Sequence, residues 1–507
     1  MKVCLVNDSF PPAIDGVANA VVNYGTYIRE NGGEPVVVTP FYPDADDAAF
    51  PFPVVRYPSL DITKAVGYRA GMPFDADVLS RLEGEGFELI HSHCPITSTM
   101  LARTLRDRID RPIVFTYHTK FDIEIEGAIR SRLIQAEAAR ILVQNISACD
   151  EVWTVSRGAG ENLRKLGYEG DYLVMPNGVD FPKGRVDDAA VAEAARGCDL
   201  PAELPVFLFV GRMMWYKGIR IILDALKTLD EKGLDFRMVF VGGGGDKDEI
   251  TAYCSSLGLD GKVLFIPPIR DRAVIRAWYC RADLFLFPST FDTNGLVVRE
   301  AAACALGSVL VAGSCAAEDV KDGVSGVLIE ENAASMAAAL ESLIGRRETM
   351  RRIGEGAQRE LYISWADAVA NAYARYGVVT EKYRSGEYDG KKRDNEEIFH
   401  AVGEVIDRYN LVREYQRLVR ENAVLNYAGI RTGIEEEVER MRAMQAEDTV
   451  VAAMKLEELR RRVDAARIRV LTGEELLLAD AQNLRADLRR RLQSMMEDIR
   501  RPNDRFM

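Results

Sequence analysis

The chain has 507 residues, 48% of them hydrophobic and 28% charged, and carries a formal net charge of −13. That balance is ordinary for globular domains, about three by length, and it excludes a broad affinity for nucleic acid. Local basic patches stay open as an exception.

The chain opens directly on an apolar run, Lys2-Val-Cys-Leu-Val-Asn7, so no signal peptide is expected ahead of the fold. No apolar run is long enough to cross a bilayer, so any membrane contact would be peripheral. Eight cysteines lie between Cys4 and Cys315 with no Cys-x-x-Cys pair and no histidine at metal spacing. They read as reduced, mostly buried thiols of a cytoplasmic protein, and no metal site is expected.

In chain order, short apolar runs predict strands at 3–7, 35–39, 89–92, 113–117, 151–155 and 172–175, with an outer strand at 54–57. Helical patterns at 17–30, 97–106 and 130–149 separate several of them. Strand and helix in alternation predict a parallel sheet with crossover helices. A turn at 176–180 ends this part, and 181–204 reads as a polar linker. A second alternation follows, with strands at 206–211, 237–242, 263–266, 284–288 and 309–312. The expected fold class is therefore α/β, two doubly wound Rossmann-like domains (1–180 and 205–365) facing a cleft. Beyond a basic linker near 388–394 the pattern changes. Ile398, Val402, Val405, Tyr409, Val412, Gln416, Val419 and Ala423 alternate steps of four and three, a heptad seam, and 452–470 holds a second apolar run. Residues 394–507 are expected to be an all-α extension, a helical hairpin or a surface for a homodimer or partner.

Several segments carry candidate chemistry. In Phe10-Pro-Pro-Ala-Ile-Asp-Gly-Val17, Gly16 would let backbone approach a ligand and Asp15 would face the cleft; a tight surface turn is the other reading. His91 and His93 end a strand and read as cleft wall or packing. Arg103, Arg106, Arg108 and Arg111 crowd one segment, with Arg130, Arg132 and Arg140 following; they form a solvated face or sit on anionic lipid. His118 ends another strand. Gly211-Arg-Met-Met-Trp-Tyr-Lys-Gly218 joins a strand to a helix, and Arg212 and Lys217 could reach a diphosphate from either side of that turn, or simply be solvated. Val241-Gly-Gly-Gly-Gly-Asp246 is neither a Walker loop nor a dinucleotide fingerprint. In Ser289-Thr-Phe-Asp-Thr-Asn-Gly-Leu-Val-Val-Arg-Glu300, Asp292 lies in a loop after a strand and Glu300 a turn into the next helix, with free amides near Gly295 that suit a phosphate.

This acid-x7-acid segment resembles the signature of glycosyltransferase family 4, retaining enzymes of the GT-B fold that use nucleotide sugars. The family usually has Glu where Asp292 stands; Glu300 matches. The resemblance covers about residues 1–385, including a last helix near 366–385 that crosses back to the first domain. It implies that Arg212 and Lys217 hold the donor diphosphate, that Glu300 accepts from the ribose, that Asp292 grips sugar hydroxyls, and that His118 contacts the sugar. Gly16, Gly211, Gly243, Asn294, Gly295 and Leu296 would line the donor, with Asp15, His93 and Asp122 on the acceptor side. Asn7-Asp-Ser-Phe-Pro-Pro12 and Tyr117-His-Thr-Lys-Phe-Asp122 are similar to the diacylglycerol glycosyltransferase branch. The implied function is transfer of a sugar, UDP-linked by frequency in the family, to a lipid or cell-envelope glycan, with no metal or other cofactor. A nucleotide-sugar-binding scaffold acting through its helical tail is the alternative.

Overall fold

The computed structural model describes residues 1–390, apart from 14, 62, 64–68, 123–124 and 126–130, together with scattered positions from 396 to 417. Of the heptad seam only Val402 is among the described residues, and the second apolar run lies wholly outside them. Met1–Glu396 form one compact unit, to which the following applies.

Its first half contains β1 (Lys2–Val6), β2 (Glu34–Pro40), β3 (Val54–Tyr57), β4 (Ser59–Asp61), β5 (Arg69–Gly71), β6 (Leu89–Ser92), β7 (Ile113–Tyr117), β8 (Glu151–Thr154) and β9 (Leu173–Val174). Seven of these form a sheet in the order β3-β2-β1-β6-β7-β8-β9, each neighbour parallel. The strands β4 and β5 make a separate antiparallel hairpin that no periodicity had signalled. The second half contains β10 (Val206–Val210), β11 (Arg237–Val241), β12 (Val263–Ile266), β13 (Leu284–Phe287), β14 (Ser308–Val311) and β15 (Val327–Ile329). They form a parallel sheet in the order β12-β11-β10-β13-β14-β15. Strands such as Val-Phe-Leu-Phe-Val are apolar throughout because both faces are buried, as helices on both sides of a parallel sheet require.

In each sheet the strand order reverses beside the first strand, between β1 and β6 and between β10 and β13. A crevice opens at the carboxyl ends of the strands at such a point. The helix Trp365–Arg384 closes the unit by packing Trp365, Val369, Ala372, Tyr376 and Val379 into the core of the first sheet. Within 181–204, expected to be plain linker, the helix Asp188–Ala194 forms behind an Asp187 cap.

Two arginines behave unlike a lipid-facing or solvated patch. Arg103 and Arg106 are 2% and 3% exposed. Arg103 donates to Asn145 and Glu396, and Arg106 to the Ala148 carbonyl, Asp150 and Glu396. Arg108 pairs with Glu83 and Arg111 donates to the Phe87 carbonyl. Arg103 and Arg106 therefore hold helices together, whereas Arg111 is exposed and, among the described residues, meets only backbone carbonyls, as a solvated face would have it. Arg130 lies outside the described residues; Arg132 and Arg140 are exposed, the latter paired with Glu137.

Three histidines stack behind the first sheet's carboxyl edge. His91 Nδ1 lies 2.6 Å from the Tyr376 hydroxyl and Nε2 lies 2.7 Å from Thr116 Oγ1. His93 lies 4.0 Å from His91 between ring centroids, and its Nδ1 is 3.0 Å from His118 Nε2. Burial drives the His118 pKa from 6.5 down to about 3. Burial first, then the neighbouring imidazoles, holds His91 and His93 well below 6.5. All three are neutral in the fold, so the unfolded chain binds more protons once the pH drops below 6.5. Stability present above that pH is lost on acidification. Between pH 6.5 and 5, above the carboxylate range, the loss should be on the order of 1–2 kcal/mol per histidine. Urea unfolding across that window measures it; a flat profile would contradict neutral burial.

Candidate active site

Two loops meet at the reversal point of the second sheet. One leaves β10 at Gly211 and enters the helix Ile219–Glu231; the other leaves β13 at Pro288 and enters the helix Leu296–Ala303. Lys217, 8% exposed, ends the first loop. Its ammonium donates to both Asp292 oxygens, at 2.9 and 2.8 Å. Ser289 Oγ donates to Asp292 Oδ2 at 2.7 Å. The rings of Tyr216, Phe287 and Phe291 lie 5.5–5.9 Å from Lys217 Nζ and supply a low-dielectric wall with favourable ring quadrupoles. Arg212 is exposed, its guanidinium 5.9 Å from the Tyr216 ring centre, and it joins no ion pair among the described residues. The loop pair thus holds one partly neutralised cation and one unneutralised cation.

Glu300 lies further along the second helix. Arg272 donates to its Oε1 at 2.5 Å and the Tyr279 hydroxyl to its Oε2 at 2.9 Å. Glu300 and burial together raise the Tyr279 pKa well above 10, burial contributing most, so Tyr279 stays a donor. Asn294 is 7% exposed, and neither its Oδ1 nor its Nδ2 has a partner among the described residues. A buried carboxamide with both ends unmet is costly unless something else satisfies it. Gly295, at φ 59°, lies so close to Ala316 that a side-chain carbon would sit 2.8 Å from the alanine methyl. Leu296 opens the helix behind it.

The glycine run is explained by packing. A carbon on Gly242 would lie 1.9 Å from the Gly211 carbonyl oxygen, and Met213 N donates to Gly243 O at 2.9 Å. Asp246 accepts from Trp215 N at 2.9 Å. The run lets the β11 turn lie against the turn that carries Arg212 and Lys217.

On the first sheet, Asp15 accepts from Val17 N and Ala18 N at 2.8 and 2.7 Å and caps the helix Gly16–Glu30. A side-chain carbon at Gly16 would meet none of the described residues within 4 Å. Asp122 accepts from Asn162 Nδ2 at 2.8 Å while its Oδ1 is buried with no partner among the described residues. The two sheets touch through the acid-bearing loop. Thr293 Oγ1 donates to the His118 carbonyl at 2.8 Å, and Ser156 Oγ donates to the Thr293 carbonyl at 2.5 Å. Glu318, from the second half, accepts from Arg157 N and Gly158 N at 2.7 and 2.5 Å, where the helix Arg157–Lys165 has free amides. Asp319 pairs with Arg157 at 2.9 Å. Ser289, Thr293 and Glu318 were not foreseen from the sequence; Gly158 stands 160 residues from Glu318, beyond any local spacing.

The structure therefore gathers Arg212, Lys217, Asp292, Asn294 and Gly295 at one reversal point and ties His118, with His93 behind it, to the same loop. Glu300 stands on the adjoining helix. Among the described residues no hydrogen bond joins Asp15 to the second sheet.

Residues 14–182 match the family model described as Glycosyltransferase Family 4, and residues 193–360 the model described as Glycosyl transferases group 1. The chain is similar to the D-inositol 3-phosphate glycosyltransferase of Xylanimonas cellulosilytica, 29% identical over 58% of this chain and 73% of that protein. It is also similar to the protein of that name from Nocardia farcinica, 28% identical over 64% and 75%. These relatives are named for a polyol phosphate and not for diacylglycerol. Among solved structures, sucrose-phosphate synthase from Thermosynechococcus elongatus matches with a TM-score of 0.61 at 20% identity, over 75% of this chain and 99% of that one. Anabaena HepE in complex with UDP and glucose matches with 0.54 at 18% identity, over 76% and 98%. With both halves matched and two parallel sheets in the GT-B arrangement, the chain is a glycosyltransferase of the group 1, family 4 type.

Proposed function

We propose that the chain moves a sugar from a nucleoside diphosphate sugar, UDP-linked by the HepE comparison, with retention of configuration, to an acceptor bound against the first sheet. The observation that carries this reading is Lys217 beside unpaired Arg212 at the carboxyl end of β10, facing the acid at the end of β13. Leaving-group charge grows on the diphosphate as the sugar bond breaks. Two cations and the amides near Gly295 stabilise that charge before and during the step without reorganising. Arrival of the diphosphate lets Lys217 exchange part of its contact with Asp292 for phosphate oxygens, freeing the carboxylate for sugar hydroxyls. Asp292, one methylene shorter than glutamate, still reaches Lys217 directly. Glu300 exchanges Arg272 for ribose hydroxyls in the same way. In this reading Gly16 gives room to the donor, and residues 1–180 and 205–365 serve as acceptor-side and donor-side domains. The acceptor proton passes to the leaving phosphate oxygen.

For the acceptor, a lipid or lipid-linked envelope glycan is supported by exposed apolar side chains along the first sheet's carboxyl edge. Phe41 follows β2, Leu60 and Met72 lie on and beside the β4–β5 hairpin, and Ile96 follows β6. A free inositol phosphate is the second reading, favoured by the names of the curated relatives.

Two outcomes follow. Lys217→Ala should lower the turnover of donor sugar by about 100- to 1000-fold, the scale of losing one donor aimed at developing charge; a rate within a few-fold of the parent would remove Lys217 from the step. Purified protein given UDP-, GDP- and ADP-sugars, with lipid and inositol phosphate acceptors in separate reactions, should form an α-linked product from an α-linked donor by NMR. An inverted product, or no turnover of any donor sugar, would overturn the proposal.

A further inference from the structure

One arginine links Glu300 to the segment that joins the two halves. After β9 the chain leaves the first sheet, and Val179 pairs with Ser364 where the chain crosses back, Val179 N donating to Ile363 O at 3.0 Å. Asp180 comes next, and the strap that follows is fastened to the helix Arg272–Arg281. Phe181 meets Tyr279 edge-on at 5.7 Å, and Arg276 donates to the carbonyls of Pro182 and Gly184 at 3.1 and 2.8 Å.

Arg272 opens that helix, its guanidinium carbon 4.3 Å from the Phe181 ring centre. Its Nη2 donates to Glu300 Oε1 at 2.5 Å and stands 3.6 Å from Asp180 Oδ2. Among the described residues these are the only ion pairs of either acid. The two holds on Glu300 differ in kind. Tyr279 is fully buried, holds Oε2 through its hydroxyl and has no room to withdraw. Arg272 is 46% exposed and covers a Glu300 side chain that is 12% exposed. A guanidinium that lets go of a carboxylate ordinarily trades a charge-assisted bond for water alone. Here a second carboxylate already stands beside the same nitrogen.

We propose that Arg272 is a positioning residue that covers Glu300 until the nucleotide arrives and then moves to Asp180, so that donor occupancy is coupled to the strap between the two halves. The inference rests on the reading that Glu300 accepts from the ribose hydroxyls. Asp180 then acts on donor affinity through Arg272 alone. Asparagine at 180 keeps the shape and removes the receiving charge. Methionine at 272 keeps an apolar stem against Phe181 and offers no N–H to Glu300.

Titration calorimetry of the full chain with UDP and with 2′,3′-dideoxy-UDP, which has no ribose hydroxyl to displace Arg272, tests this. UDP should bind Asp180→Asn about two- to five-fold more weakly than wild type and Arg272→Met about two- to five-fold more tightly, the range for an exposed ion pair. The double variant should bind UDP like Arg272→Met, and the dideoxy nucleotide should bind Asp180→Asn and wild type alike. An Asp180 with a merely structural role would weaken binding by the same factor in both backgrounds. An Asp180→Asn effect that persists beside Arg272→Met, or that is equal for the two nucleotides, or weaker UDP binding in Arg272→Met, overturns the inference while the ribose reading stands. Equal wild-type affinity for the two nucleotides, or no binding of UDP, overturns instead the ribose reading and the inference with it. If Arg272→Met does not fold, Asp180→Asn against the two nucleotides still decides.

Discussion

The contact on which the site depends is the ion pair between Lys217 and Asp292. A buried ammonium is unfavourable unless it is paired and hydrogen-bonded, and burial of such a pair returns little net stability. Here the pair has one lysine, one aspartate and a supporting serine, walled by three aromatic rings. Arg212 stands by without an ion-pair partner among the described residues. Lys217 is buried and balanced by Asp292, and Arg212 is exposed to water, so the loop pair carries one cation more than Asp292 balances at the carboxyl end of a parallel strand.

The acid-bearing loop also joins the two halves. Its neighbouring residues hold opposite ends of the cleft: Asp292 binds Lys217, while Thr293 binds the His118 carbonyl and receives Ser156. Glu318 reinforces the junction by satisfying amides at the start of a helix from the other half, an interaction that combines hydrogen bonding with the helix dipole. Movement of one half against the other therefore has to break these contacts, and they lie within a few residues of the groups proposed to hold the donor.

Much of this was legible in the sequence because the governing signals are local. Parallel strands buried on both faces are short apolar runs, and β6, β7 and β12 have the expected limits. Arg212, Lys217 and Asp292 are loop residues after such strands, so topology alone brings them near one another. What could not be read depends on distant partners. The burial of Arg103 and Arg106 comes from Asn145, Asp150 and Glu396, far along the chain, and a basic run looks the same whether its partners are water, lipid or carboxylates. The β4–β5 hairpin is too short for periodicity to show. The glycine run at 242–245 fits no nucleotide-loop pattern, and the reason for its Gly242, the Gly211 carbonyl at the end of another strand, is not local in the sequence.

If Arg212 and Lys217 together grip a diphosphate, the phosphates must supply much of the nucleotide's affinity. Titration calorimetry of the wild-type chain with the nucleoside diphosphate it binds best, against the same nucleoside without phosphates, tests this most directly. Charge-assisted hydrogen bonds contribute about 1.5–3 kcal/mol each, so the diphosphate should bind at least roughly a hundred-fold tighter, with most of that gain lost in the Arg212→Ala, Lys217→Ala double variant. Equal affinity for nucleoside and nucleoside diphosphate, or a gain that survives in the double variant, would contradict the account.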